Sequence, residues 1–413
     1  MMKIVKLWIV LVLPGAAVGQ STVTPLQSLI AEARQSNASI KASEMAVATA
    51  RYAPKQASAL PDTEFMLQHF SVGSPRPFAG YSNSDFAYMG FGASQETPYP
   101  GKRGLRANVA QHEVAISGAE KEVVTWNVIT RLKLAYFQLA ASQQVIAILE
   151  RNQETAEQMQ QAAEARYGVG QGTQQEVLRA QLQRTRLLND ISMQRREQAQ
   201  AEAILKALLN RPVGSADLIA EPLRLRQLPE TETLAHTLSG KNPDLQVNSE
   251  RISQGHAAVE LAHREKKPDF AVQYMWQHTA SEFRDYYMAT FSIKLPNRSR
   301  VRAMEGEAQT KVAQAESEKQ ARLKQMESDL GEQIAIAQTS EQQLKVYDDG
   351  LIPQSEAALN AGLAGYRSGK QEYQGLLASF SDTLQLAIER EQTLAEHESA
   401  LARIEGLIGE ELQ

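Results

Sequence analysis

Cysteine is absent from the 413-residue chain. That absence removes disulfide frameworks, thiolate nucleophiles, cysteine-ligated zinc or iron–sulfur centres and any lipid attached through cysteine. Aromatic residues are scarce at 6%, which suits long helices that bury a single stripe better than a thick globular core. Basic excess is missing too: 43 Lys and Arg stand against 48 Asp and Glu, for a formal net charge of -5. No basic face for nucleic acid is therefore expected. Long hydrophobic runs are also lacking. The nearest, Leu7 to Leu13, follows Lys3 and Lys6 and leads into Pro14 and small residues up to Gly19. It is far short of the ~20 apolar residues that span a bilayer as a helix, and it reads as a secretory signal peptide over residues 1–19. An exported chain with no second apolar span is either soluble outside the cytoplasm or a membrane β-barrel.

Catalytic signatures are equally thin. The histidines His69, His112, His236, His256, His263, His278 and His397 are scattered; His256 and His263 lie two helical turns, ~10 Å, apart, too far to share one ion. Gly168, Gly170 and Gly172 lack the spacing and the strand-turn-helix setting of a dinucleotide loop. No enzyme activity, cofactor or metal site is expected.

What is present is one unit written twice. Asn37-Ala-Ser-Ile40 corresponds to Asn242-Pro-Asp-Leu245, and Pro61-Asp62 to Pro268-Asp269. Pro98-Tyr-Pro-Gly-Lys-Arg103 corresponds to Pro296-Asn-Arg-Ser-Arg300, and Tyr167-Gly-Val-Gly170 to Tyr366-Arg-Ser-Gly369. The first repeat covers residues 20–209 and the second 230–413, joined by a connector over 210–229 with Pro212, Pro222 and Pro229.

Within each repeat the hydrophobic period switches between helix and strand. Val109, Ile116, Val123, Thr130 and Phe137 lie seven apart in a proline-free stretch, which predicts a coiled-coil-like helix over 102–166, about 100 Å long at roughly 1.5 Å per residue. Leu323, Leu330, Ala337 and Leu344 mark a matching seam in a helix over 298–365, which Gly350 and Pro353 should kink or break. Turns at 167–173 and 366–372 separate these helices from return helices over 174–209 and 373–408. Strands are predicted near 63–72, 85–96, 269–278 and 286–295, the first pair joined by the Gly/Pro/Ser-rich loop Gly73 to Ser84. Phe270, Val272, Tyr274 and Trp276 alternate with smaller or polar residues, as do Tyr287, Ala289, Phe291, Ile293 and Leu295. One apolar, aromatic face and one mixed face suit a strand with lipid outside and water within. A soluble sheet with one buried face gives the same local pattern. Four strands cannot close a membrane barrel, so the barrel reading requires oligomerisation, and a trimer would supply twelve strands continuing into twelve helices.

This duplicated layout resembles the TolC-like outer membrane efflux channels over essentially the whole mature chain. Ala165-Arg-Tyr-Gly-Val-Gly-Gln-Gly-Thr-Gln-Gln-Glu-Val-Leu178 and Ala364-Gly-Tyr-Arg-Ser-Gly-Lys-Gln-Glu-Tyr-Gln-Gly-Leu-Leu377 are the most specific marks. Ser94-Gln-Glu-Thr-Pro-Tyr-Pro-Gly-Lys-Arg103 is similar to the strand-to-helix junction of the heavy-metal-efflux branch. The resemblance implies a mainly α trimer in the outer membrane of a Gram-negative bacterium, with a periplasmic helical barrel continuing into a 12-stranded β-barrel. It also implies partners: a periplasmic adaptor and an inner-membrane pump.

By the same resemblance, Tyr167, Gly170, Glu176, Tyr366, Gly369 and Gln371 form the periplasmic tip, its gate and the adaptor-docking surface, and Phe270, Tyr274, Trp276 and Phe291 face lipid. Gln371 stands where relatives commonly carry Arg, so a latch through it would be weaker. Gly375 and Ala378 stand where well-known members carry a ring of aspartates, so no acidic ring is expected. For Glu176 a solvated carboxylate at a helix start is the competing reading. The rival function is a soluble periplasmic coiled-coil adaptor, which would need another element to cover the aromatic strand faces.

Overall fold

In the computed structural model, residues 23–71, 87–279 and 285–412 are described. The expected signal peptide and the loop Gly73 to Ser84 lie outside them. The first repeat runs α1 (Leu26–Ser36), α2 (Ala38–Ala50), α3 (Ala53–Ser58), β1 (Glu64–Phe70), β2 (Tyr88–Thr97), α4 (Lys102–Gly168) and α5 (Gln174–Leu208). The second runs α6 (Thr231–Lys241), α7 (Pro243–Arg264), β3 (Asp269–Thr279), β4 (Asp285–Lys294), α8 (Arg298–Val346), a π-helical turn Tyr347–Leu351, α9 (Ile352–Arg367) and α10 (Tyr373–Ile408).

Two helices at corresponding places in the expected repeats begin alike. Asn37 and Asn242 are the N-caps of α2 and α7. The Asn37 side-chain oxygen accepts from the backbone N–H groups of Ser39 (2.9 Å) and Ile40 (3.2 Å), and that of Asn242 accepts from Leu245 (2.8 Å). Each cap satisfies donors that the first helical turn leaves without intrahelical partners. Asn242 also donates its amide to the Leu407 carbonyl at 2.6 Å, tying the start of α7 to the end of α10.

The chain divides into two compact units. One holds residues 1–33, 131–226 and 340–399. Its core is a heptad-like seam: Val145, Leu149, Ala156, Met159 and Ala163 of α4 pack with Leu187 and Ile191 of α5 and Leu376 and Phe380 of α10. The other unit holds residues 34–130, 227–339 and 400–413. There Met326, Leu330, Ile334 and Ala337 of α8 pack with Leu234, Leu238, Leu245, Leu401 and Ile404. Among the described residues α4 is the one helix long and apolar enough to cross a membrane, but 72% of that stretch is buried inside the protein, so it is a core helix.

The helix expected over 298–365 is not continuous. Pro353 has no N–H to offer the carbonyl four residues back, and the backbone absorbs the mismatch in the turn Tyr347–Leu351 rather than breaking.

Four strands form one antiparallel sheet in the order β1-β2-β3-β4. Where the sheet meets the helices, Lys102 at the start of α4 is 1% exposed. A cation there opposes the helix dipole, and it is held by Glu265 Oε2 (2.9 Å) and Asp269 Oδ2 (3.0 Å). Arg106 donates to the second oxygen of Glu265 at 3.1 Å, and the Tyr99 N–H donates to Asp269 at 2.8 Å. The last turn of α7, the first residue of β3 and the first turn of α4 therefore meet at one buried charge cluster.

Asn242→Ala removes both a helix cap and the bond to Leu407. The expected loss is about 1–2 kcal/mol, read as a lower thermal midpoint by circular dichroism in detergent; an unchanged midpoint would count against this role.

Candidate functional site

The two interrupted-helix turns are built alike. At the end of α4, Gln171 and Gly172 donate their N–H groups to the Arg166 carbonyl (2.8 and 3.1 Å), and Gly170 sits at φ +73°. At the end of α9, Lys370 and Gln371 donate to the Gly365 carbonyl (2.9 and 3.2 Å), and Gly369 sits at φ +74°. Only a residue without a Cβ adopts this left-handed backbone at little cost, which is why a glycine stands at each position. Thr173 caps α5, its hydroxyl accepting from the Glu176 N–H at 3.3 Å.

Between the turns lies a single clasp. Arg166 donates through Nη1 to the Tyr366 carbonyl (2.6 Å) and through Nη2 to the Gln171 carbonyl (3.0 Å). Its guanidinium lies 4.7 Å from the centre of the Tyr366 ring, within cation–π range. Tyr366 is 1% exposed, its hydroxyl donates to Glu176 Oε2 at 2.7 Å, and its ring meets Tyr373 edge-on at 5.4 Å. Burial first, then the Glu176 carboxylate, drive the Tyr366 hydroxyl well above the ordinary tyrosine range. The same two causes push Tyr373 up to about 12.

Glu176 and Tyr366 are thus brought into direct contact, and the carboxylate at the start of α5 is not merely solvated. Gln371 takes a different place. A Cβ on Gly375 would sit 2.9 Å from its amide nitrogen, and Cβ atoms on Gly365 and Gly362 would approach its amide oxygen and nitrogen at 3.1 and 3.5 Å. Three glycines make room for this side chain between α9 and α10. Tyr167 is exposed, as is Val169. Sequence reasoning did not single out Arg166 or Tyr373, although both lie inside the quoted turn motifs; their cross-repeat contacts are not encoded in any local spacing.

The sheet is the second candidate surface. Its register places Phe65, Leu67, Phe91, Phe270, Val272, Tyr274, Trp276, Tyr287, Phe291 and Ile293 on one face. Phe65 and Leu67 are each 71% exposed and Phe291 is 62% exposed, and nearly all the others are exposed too. Stacking between Phe65 and Phe91 and between Phe270 and Phe291 makes this face continuous. Phe270 is the partial exception, half-covered by its stacked neighbours. The opposite face is mixed: it carries Glu64, Gln68, Ser94, Glu96, Gln273, Gln277, Thr290, Ser292 and Lys294 together with Met66, Phe70, Tyr88, Met275, Tyr286 and Met288. Among the described residues no group of His, Asp or Glu could hold a metal ion.

Comparison with known proteins follows this geometry. The family model described as outer membrane efflux protein matches residues 29–211. No curated protein sequence matches the chain. Among solved structures, the outer membrane protein VceC of Vibrio cholerae has 17% identity and a TM-score of 0.76, over 94% of this chain and 97% of that one. The open-state MtrE outer membrane channel of Neisseria gonorrhoeae has 18% identity and a TM-score of 0.77, over 94% and 89%. CusC has 14% identity and a TM-score of 0.78, over 95% and 96%. At these identities the structures establish the fold alone.

A tyrosine with a raised pKa keeps its hydroxyl donor at every pH below its ordinary range and loses it only as pH climbs through the raised value. The Tyr366–Glu176 bond should therefore survive physiological and moderately alkaline pH. Ultraviolet titration should show Tyr366 and Tyr373 ionising after the exposed tyrosines, and Tyr366→Phe should remove one late-titrating group. Loss of an early group instead would contradict the clasp.

Proposed function

We propose that this chain is a TolC-like outer membrane efflux protein, three copies of which form a passive conduit that receives substrate from an inner-membrane pump through a periplasmic adaptor. Its place is the outer membrane of a Gram-negative cell, and members of the family are channels rather than enzymes. The observation that carries the reading is the continuous aromatic face that nothing among the described residues covers, on a sheet whose outer strands β1 and β4 each have one partner. Water disfavours such a face, and lipid matches it.

Copy number follows from closure. One sheet of four strands has open edges, which lipid does not tolerate. Two copies would give eight strands, an interior that side chains fill; three give twelve and leave an aqueous lumen. Rotational symmetry sets β4 of one copy beside β1 of the next, the head-to-tail contact that closes a ring. Phe270, Tyr274, Trp276 and Phe291 then meet lipid, and the mixed face lines the lumen. The soluble adaptor reading leaves the aromatic face in water and is not favoured.

In this reading the helical turns are the periplasmic tips. Gly170 and Gly369 shape them, and exposed Tyr167 and its neighbour Val169 offer the adaptor an apolar contact. Arg166, Tyr366 and Glu176 hold the two tips of one protomer together. Gln371, turned into its own helix pair, supports α9 against α10.

Native mass spectrometry of detergent-extracted protein should report a trimer, and planar bilayers should show its conductance. Glu176→Ala should raise single-channel conductance by freeing Tyr366. A monomer in the soluble periplasmic fraction would overturn the conduit, whereas a conducting trimer indifferent to Glu176→Ala would remove only its gating role.

A further inference from the structure

The two helices that leave the sheet both begin with cations, and only one set is matched. In the first repeat Lys102 is held by Glu265 and Asp269, Arg106 donates to Glu265 at 3.1 Å, and Arg103 donates to the Ser58 carbonyl at 2.6 Å. In the second, Arg298, Arg300 and Arg302 open α8, whose first turn carries no acidic residue. All three are exposed, and among the described residues none of their side chains has a hydrogen bond or an ion pair. The helix dipole disfavours cations at this end, so three unmatched arginines stand against both local electrostatics and the pattern of the first repeat.

Helical geometry separates them. At about 100° per residue, Arg298, Val301, Arg302 and Glu305 share one side of α8, whereas Arg300, Met304, Glu307 and Lys311 share another. On the first side Lys266, Pro296, Arg298, Val301, Arg302 and Glu305 line a cavity of about 350 Å³. Glu305, the one acid among these, already faces Lys266 and His263 at 2.6 Å each. Arg298 and Arg302, one turn apart and about 6 Å from each other at Cβ, are left open to an anion. The other side of α8 lines a groove of about 660 Å³ shared with Val109 of α4 and Ala258 of α7. Three helices that line one groove curve around it, which puts the groove on the concave side and the arginine cavity on the convex side. In a closed ring the concave side is the lumen and the convex side is the exterior.

The chain itself sets the depth of this cavity. β4 ends at Lys294, and the lining begins at Pro296, directly after Leu295, which continues the alternation of the aromatic face and is 80% exposed. The cavity thus sits where the lipid-facing strand ends, at the level of lipid headgroups. We propose that Arg298 and Arg302, with Lys266 beside them, bind the phosphate of an anionic phospholipid at the periplasmic edge of the bilayer. The guanidinium fork matches phosphate oxygens in pairs, and basic clusters next to a membrane attract anionic lipid. With three cations against one acid in its lining, the site favours phosphatidylglycerol over phosphatidylethanolamine, whose own ammonium is repelled. Acyl chains then run along Phe291 and Ile293, which are exposed on the aromatic face. The proposal rests on the conduit reading, which supplies the bilayer and the ring.

The test uses the full-length trimer in detergent, with phosphatidylglycerol or phosphatidylethanolamine added singly and retained lipid counted by native mass spectrometry. The wild type should hold phosphatidylglycerol at least about tenfold more tightly than phosphatidylethanolamine. An Arg298→Gln, Arg302→Gln variant should lose that preference with its conductance unchanged, while Arg300→Gln, on the other side of α8, should keep it. Equal retention of both lipids by the wild type, or an unchanged preference in the double variant, would overturn the site. So would a double variant that no longer forms trimers while Arg300→Gln still does, because the arginines would then belong to carboxylates of the neighbouring copy. Inorganic phosphate that binds the wild type as tightly as phosphatidylglycerol, read by calorimetry, would overturn the lipid and leave soluble phosphate as the ligand. A wild type that forms no conducting trimer would instead overturn the conduit reading beneath the proposal.

Discussion

An antiparallel sheet with two outer strands and one uncovered aromatic face is the constraint from which the rest of this molecule follows. Among the described residues β1 and β4 each pair with one strand; backbone N–H and C=O groups along a sheet edge need partners, and lipid supplies none. The aromatic face excludes water as the natural neighbour. Both demands are met together only when more strands continue the sheet around a ring. In the proposed conduit the oligomer is therefore a consequence of the strand edges rather than an addition to a finished fold.

The sheet's position is handed to the helices through charge. Lys102 sits where a helix least accepts a cation, and it is stable there because Glu265 and Asp269 reach it from α7 and β3. A buried ammonium with two carboxylate partners and a third tie through Arg106 is costly to separate. It follows that the start of β3 and the start of α4 move as one piece, which suits a junction between a rigid barrel and long helices.

At the other unit the problem is reversed: helices must stop, turn and be held without a sheet. Glycine at positive φ makes the turn, and the clasp of Arg166, Tyr366 and Glu176 holds it. Both strong bonds of the clasp involve a charged partner, which makes them short and directional. Because Gln371 is neutral and turned toward Gly362, Gly365 and Gly375, the charge that fastens the tips comes from the first repeat, through Arg166, rather than from the second.

Much of this was legible in the residues because it is local. Helix caps at Asn37 and Asn242, the positive-φ glycines Gly170 and Gly369, the strand alternation around Tyr274 and Phe291 and the seven-residue seams all depend on neighbours a few positions away. The effect of Pro353 was read only halfway: a missing N–H marks where the helix ladder fails, but whether the backbone breaks or widens into a π-helical turn depends on packing along its length. Contacts between the repeats were invisible. Arg166 meeting Tyr366 and Tyr366 meeting Glu176 join residues 200 and 190 positions apart, and which residues share a row of the sheet depends on register, a property of paired strands. The sequence by itself determined which segments are helix, strand and turn and which faces are apolar, because periodicity and caps are short-range. Only the tertiary structure decided which side chains share a clasp or a row, because those distances are created by packing two copies of the unit together.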